Sequence, residues 1–392
     1  MKEIDRWLLP EGIEEVLPQQ ARQLESFRRR LLDLYTSWGY ELVMPPFIEY
    51  LESLLTGTGH DLDLKTFKLT DQLTGRLMGV RADMTPQVAR IDARYQTGVP
   101  SRLCYMGTVL HTRPDGFAAS RSPLQVGAEL YGHAGIESDL EILALLAETL
   151  RLCGIERVSF DLGHVGIYRG LVKHAGLTET RETELFDALQ RKSRPDMKVL
   201  FEKWALDSKQ AEIFLRLSEL NGGSEVLAEA KQLFKGVDQS VLTALNYVEQ
   251  LAAAIKQKMP HLVVHFDLAE LRGYNYHTGV VFAAYVPGQG QAVALGGRYD
   301  DIGKVFGQAR PATGFSTDLK TLFSLSNTEA QEPETIYAPA DQDEALQSMI
   351  TELRAAGQRV VCALPGQQGD ARAMGCQQQL LKQAGQWQVK PI

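Results

Sequence analysis

With 392 residues, the chain is long enough for two or three domains of ordinary size and a core that needs no staples. A net charge of −8 gives no electrostatic footprint for a phosphate backbone and disfavours nucleic acid as a partner, while leaving room for a local basic patch. Four widely spaced cysteines (104, 153, 362, 376) form no CxxC pair, which argues against a zinc site or a disulfide framework and fits a reducing cytoplasm.

The N-terminus MKEIDRWLLPEG has no basic region followed by an apolar one, and no window reaches the ~18 apolar residues of a membrane span. From Pro18 to Trp38, Leu24, Phe27, Leu31, Leu34, Tyr35 and Trp38 recur at helical spacing, with Arg22, Arg28, Arg29 and Arg30 off that stripe. Those arginines read as a charged outer face. Tyr40 to Tyr50 is extended, because Pro45 and Pro46 exclude a helix. Thr66 to Val80 reads as a hairpin turning near Asp71 to Gly75, and Thr85-Pro86 as a helix start in which the Thr85 hydroxyl caps free amides.

Leu103 to Gly132 reads as a long hairpin around a loop containing Pro114 and Gly116. In its second strand Gln125, Gly127, Glu129 and Tyr131 share one face, while Val126, Ala128 and Leu130 share the other. A half-solvated sheet face explains that pattern, and so does a polar floor for a small ligand. Ile136 to Cys153 is a buried helix with Ser138 and Glu141 as its capping box. After a strand at Arg157 to Leu162, residues from about 168 to 260 read almost wholly as helix, forming an inserted lobe.

Strands follow at His261 to Asp267 and Ala292 to Asp300, separated by LRGYNYHTGVVF (271–282). Thr313 to Leu322 reads as a glycine turn followed by a helix. Residues 326–333 are polar, as in a linker, and 334–392 read as a small α/β unit. In that unit a strand at Thr335 to Ala338, a helix at Asp341 to Ala356 and a strand at Arg359 to Leu364 precede a helix at Asp370 to Ala384 and a short strand at Trp387 to Val389.

These segments together resemble the class II aminoacyl-tRNA synthetases in their histidyl form. The resemblance implies an α+β fold: an antiparallel sheet flanked by helices over 1–325, with a helical insertion at about 168–260 and a C-terminal unit like a shortened anticodon-binding domain. In histidyl enzymes a glutamate and a threonine of an arginine-proline-glutamate-glycine-threonine segment bind the α-amino end of histidine, and Asp83 and Thr85 match them here, the acid one methylene shorter. Gln125 and Glu129 match the glutamine and glutamate on the hairpin floor. Arg272, Gly273 and Tyr276 match the segment that closes over the imidazole, and His277 stands where a second tyrosine would be. By resemblance Arg272 takes the ligand carboxylate, and Tyr276 and His277 surround the ring.

The nucleotide half departs from the family. His111 and Arg113 replace the motif-two arginine and glutamate, and Thr321 replaces the last-motif arginine. A mostly neutral histidine is a poor substitute for a charged fork of donors. Losing one donor to a developing phosphoryl charge costs about 3–4 kcal/mol, so losing two leaves little adenylate formation. A retained amino-acid half with a lost nucleotide half resembles the regulatory subunits of ATP phosphoribosyltransferase, which work at the first step of histidine biosynthesis.

That resemblance implies no catalysis, no cofactor and no metal. It implies L-histidine as effector, a homodimer through the Tyr40–Tyr50 region, and a hetero-octamer with short-form catalytic subunits that the chain inhibits or activates. A working histidyl-tRNA synthetase and an RNA-binding or ligase paralogue of the same fold are the alternatives. His111, Thr321 and the short acidic tail count against the synthetase, net acidity against the RNA-binding version and the lost arginines against the ligase.

Overall fold

The computed structural model describes residues 7–56, 60–95, 98–114, 120–274, 276–307, 309–326 and 334–392. Among them two compact units separate, 1–328 and 329–392. Gly116 of the expected hairpin loop lies outside the described residues, and so does the expected linker apart from Ser326.

The first unit is built on a nine-stranded mixed sheet in the order Glu41–Leu42, Ser101–Thr108, Leu124–Tyr131, Ala312–Asp318, Ala294–Arg298, Val280–Tyr285, Ser159–His164, Val263–Asp267, Asn221–Gly222. The first two strands pair parallel, as do Ser159–His164 and Val263–Asp267; the other pairings are antiparallel. The expected hairpin forms its second and third strands, with Tyr105 opposite Gly127 and Leu103 opposite Glu129. Val126, Ala128 and Leu130 turn to a core shared with the helices Pro18–Ser37 and Ile136–Leu152, where Leu24, Phe27, Leu31 and Tyr35 supply the apolar stripe. The opposite face is not half-solvated: Gln125, Glu129 and Tyr131 are all buried.

Three local expectations are corrected. Thr313 to Leu322 is not a turn and helix: Ala312–Asp318 is a central strand, and only Leu319–Leu325 is helical. Its glycine answers a neighbouring side chain instead of a turn. Ser138 is not a cap either. Gly135 occupies the N-cap, the Ser138 hydroxyl donates to the Gly135 carbonyl at 2.7 Å, and Glu141 faces Arg102 at 2.6 Å. The helix does begin at Thr85, but Met84 is its N-cap and the Thr85 hydroxyl turns to the sheet.

The inserted region holds six helices, from Val165–His174 to Gln239–Lys258, interrupted by the two-residue edge strand Asn221–Gly222. The second unit is a four-stranded sheet in the order Arg359–Cys362, Thr335–Ala338, Gln378–Gln383, Gln386–Pro391, with the helix Glu344–Ala355 packed on it. The helix expected at 370–384 is absent. Gln378–Gln383 is a strand, and Ala384 and Gly385, both at positive φ, make the tight two-residue turn that returns the chain as Gln386–Pro391. Among the described residues no helix is long and apolar enough to cross a membrane.

Candidate functional site

A cavity of about 910 Å³ opens over the polar face of the sheet, within the ~300–1,000 Å³ range of ordinary ligand sites. Its deep end is lined by Asp83, Thr85, Gln125, Glu129, Tyr276, His277 and Tyr299. Six of the seven residues expected to meet a ligand therefore converge, from three separate segments of the chain.

Glu129 is the centre of that end and is 1 % exposed. Its Oε1 accepts from the Tyr105 hydroxyl at 2.9 Å and the Thr85 hydroxyl at 3.1 Å, and its Oε2 accepts from Tyr299. Burial pushes its carboxyl up to about 8, against which the hydrogen bonds from Tyr299 and Tyr105 pull downward. Gln125 donates to Asp83 Oδ1 at 2.7 Å and accepts from the Met84 amide at 2.9 Å, which fixes which way its amide points. Asp83 also accepts from the Thr85 amide at 3.0 Å. The entry to the helix Thr85–Arg94 is thereby wired to the floor strand.

The Tyr276 and His277 rings lie 4.2 Å apart between centroids, tilted by 40°. The His277 Nδ1 donates to the Arg272 carbonyl at 3.2 Å, and burial holds its ring down at about 4, so it is neutral at pH 7. Arg272 does not line the large cavity. Its guanidinium donates to the Tyr285 hydroxyl at 2.7 Å, and it borders an adjoining space of about 60 Å³ that shares Tyr276, His277, Leu295 and Gly296 with the main one.

The outer half is lined by Glu14, Lys65, His111, Ser120, Lys320 and Thr321, among others. His111 Nε2 donates to the Ala82 carbonyl at 2.9 Å, and the Thr321 hydroxyl donates to Asp318 at 2.9 Å. Arg113 is exposed and is not among the residues lining the cavity. Lys320 pairs with Glu14 at 3.2 Å. Neither substituted position presents a fork of donors comparable with a guanidinium. Among the described residues no group of three or more His, Cys, Asp or Glu is arranged to hold a metal ion.

Sequence reasoning missed Tyr105 and Tyr299, which hold the Glu129 carboxyl. A Cβ at Gly127 would lie 2.3 Å from the Tyr105 hydroxyl, so the floor glycine makes room for a tyrosine on the facing strand.

The profile of the family described as histidyl-tRNA synthetase matches residues 12–322, and that of the ATP phosphoribosyltransferase subunit HisZ C-terminal domain matches residues 333–390. The ATP phosphoribosyltransferase regulatory subunit of Thioalkalivibrio sulfidiphilus is 60% identical over the whole of both chains. The chain belongs to the ATP phosphoribosyltransferase regulatory subunit family. The regulatory subunit of Alkalilimnicola ehrlichii is 55% identical, over 99% of this chain and 98% of its own. A solved structure named as an ATP phosphoribosyltransferase regulatory subunit/histidyl-tRNA synthetase from Bacillus halodurans superposes with a TM-score of 0.83 at 27% identity, covering 94% of this chain and 96% of that one. Histidyl-tRNA synthetase from Nostoc shares the fold, with a TM-score of 0.76 at 20% identity, over 98% of this chain and 97% of that one. Membership of this family makes the chain a regulatory subunit in place of a synthetase, although its core keeps the synthetase architecture.

Proposed function

We propose that the deep end of the cavity binds free L-histidine and that its occupancy is passed to short-form catalytic subunits as feedback inhibition, the unliganded chain activating them. The observation that carries this reading is the asymmetry of the cavity. The amino-acid end keeps a buried carboxyl, a second carboxylate, an oriented amide and aromatic walls, while the nucleotide end has exchanged its two arginine positions for His111 and Thr321.

Asp83, Thr85 and Gln125 take the ammonium end, Glu129 with Tyr276 and His277 takes the ring, and Arg272 takes the carboxylate after its side chain leaves Tyr285. The two spaces share Tyr276, His277, Leu295 and Gly296, and Arg272 reaches the ligand across that shared boundary. The assembly is a cytoplasmic hetero-octamer in which this chain forms homodimers through the 40–50 region, where Met44 is 78 % exposed and Leu42, Phe47 and Ile48 are each 40 % exposed. Feedback then requires two quaternary states that bind histidine unequally.

The test is inhibition of the reconstituted complex. Histidine inhibits the complex containing the parent chain, and Glu129→Ala raises the histidine needed at least tenfold. Equal inhibition of the two complexes contradicts the site.

A further inference from the structure

Glu129 is a buried carboxyl in the wall of a cavity, and among the described residues no lysine or arginine is recorded within ion-pairing distance of it. The groups facing it come from every element packed around it. Tyr131 lies on its own strand, and its hydroxyl is 3.4 Å from that of Tyr299. Tyr105 comes from the paired strand, Asp83 and Thr85 from the entry to the helix Thr85–Arg94, and Tyr299 from the end of Ala294–Arg298. Tyr276 and the neutral His277 come from the 272–278 loop, and backbone alone from Gly314. Asp83 is the one other carboxyl of this ring; the remainder are hydroxyls, aromatic rings and backbone. Hydroxyls donate or accept, so this ring of groups satisfies the carboxyl in either protonation state. An ionised carboxylate without a cation is costly at such depth.

Resting on the histidine-sensor reading, we infer that the empty pocket keeps a proton on the Glu129 side chain and that the ligand's imidazole shares that proton on binding. The ring therefore enters uncharged and no proton is exchanged with solvent at neutral pH. The carboxyl hydrogen of Glu129 bonds the unprotonated ring nitrogen, and the pair holds one titratable proton beyond the ring's own N–H, on whichever partner it resides. The aromatic faces of Tyr276 and His277 suit a ring at this depth, and Asp83 remains for the ammonium.

The proton count fixes the sign of the pH dependence. Below the free ring's pKa of ~6.5, ligand and protein bring two protons and one is expelled. Above about 8 they bring none and one must be taken up. Affinity is therefore flat between these limits and falls up to tenfold per pH unit on either side.

The experiment is calorimetric titration of the full chain with L-histidine in buffers of different ionisation enthalpy. At about pH 7.2 the expected exchange is near zero, and at about pH 8.5 it is uptake approaching one proton. In Glu129→Gln the alkaline uptake shrinks to what the histidine amino group alone contributes. Release of about one proton at pH 7.2 would mean that the carboxyl meets the ammonium, and it would overturn the inference while leaving histidine binding intact. Absence of binding by the parent chain would overturn both. If the variant fails to bind, the parent's two proton counts decide.

Discussion

Gly314 pairs with Glu129 across the sheet, and a Cβ at position 314 would stand 1.5 Å from Glu129 Oε2 and 2.8 Å from the Ala128 carbonyl. The glycine is in this strand because the carboxyl lies across it. Gly314→Ala must push Glu129 out of its hydroxyl ring. The expected result is at least a tenfold loss of histidine affinity, about 1.4 kcal/mol, with a fall in stability of about 1–3 kcal/mol and retained far-ultraviolet circular dichroism. Unchanged affinity would detach Glu129 from the ligand.

Arg298 and Asp139 form a buried pair at 3.0 Å, with side chains 5% and 0% exposed. Arg298 also donates to Ser138 Oγ at 2.8 Å, and Asp139 accepts from Tyr247 on the lobe helix Gln239–Lys258. The pair thus joins a floor strand, a core helix and the lobe. Arg298→Met leaves an uncompensated buried carboxylate and costs about 3–5 kcal/mol in urea denaturation, whereas Arg298→Met combined with Asp139→Leu recovers most of that loss. An additive double variant would show that the pair is not coupled.

His277 is held neutral by burial, with its ring lowered to about 4. The unfolded chain takes up that proton near ~6.5, so the stability His277 contributes is fully present above that value and is lost as pH falls toward about 4. Glu129 acts with the opposite sign over the upper part of this window, because its raised carboxyl binds a proton in the folded state first. The clean readout is therefore a difference. The stability gap between the parent chain and His277→Gln should narrow by on the order of 3 kcal/mol between pH ~7 and ~4. A gap independent of pH would mean that the ring is not buried neutral.

The strand positions that carry the site were legible because alternation needs only local sequence: Gln125, Gly127, Glu129 and Tyr131 share a face whatever lies above it. What occupies that face was not legible. Tyr105 and Tyr299 reach Glu129 across 24 and 170 residues of sequence, and no periodicity reports such a meeting. Gly314 misled because a glycine in a turn and a glycine making room for a buried carboxyl look alike in one sequence. The C-terminal hairpin misled for a different reason: its two-residue turn uses Ala384 where asparagine or aspartate ordinarily signals positive φ. Arg272 matched its motif, yet its guanidinium rests on Tyr285, a residue outside that motif.

Calorimetric titration of the isolated chain, first with L-histidine and then with ATP, tests most directly whether the cavity is an amino-acid site without a nucleotide site. Histidine is expected to bind, and ATP is expected not to, whether or not histidine is present. ATP binding that histidine tightens would contradict this, because His111 and Thr321 would then serve a nucleotide site that still works.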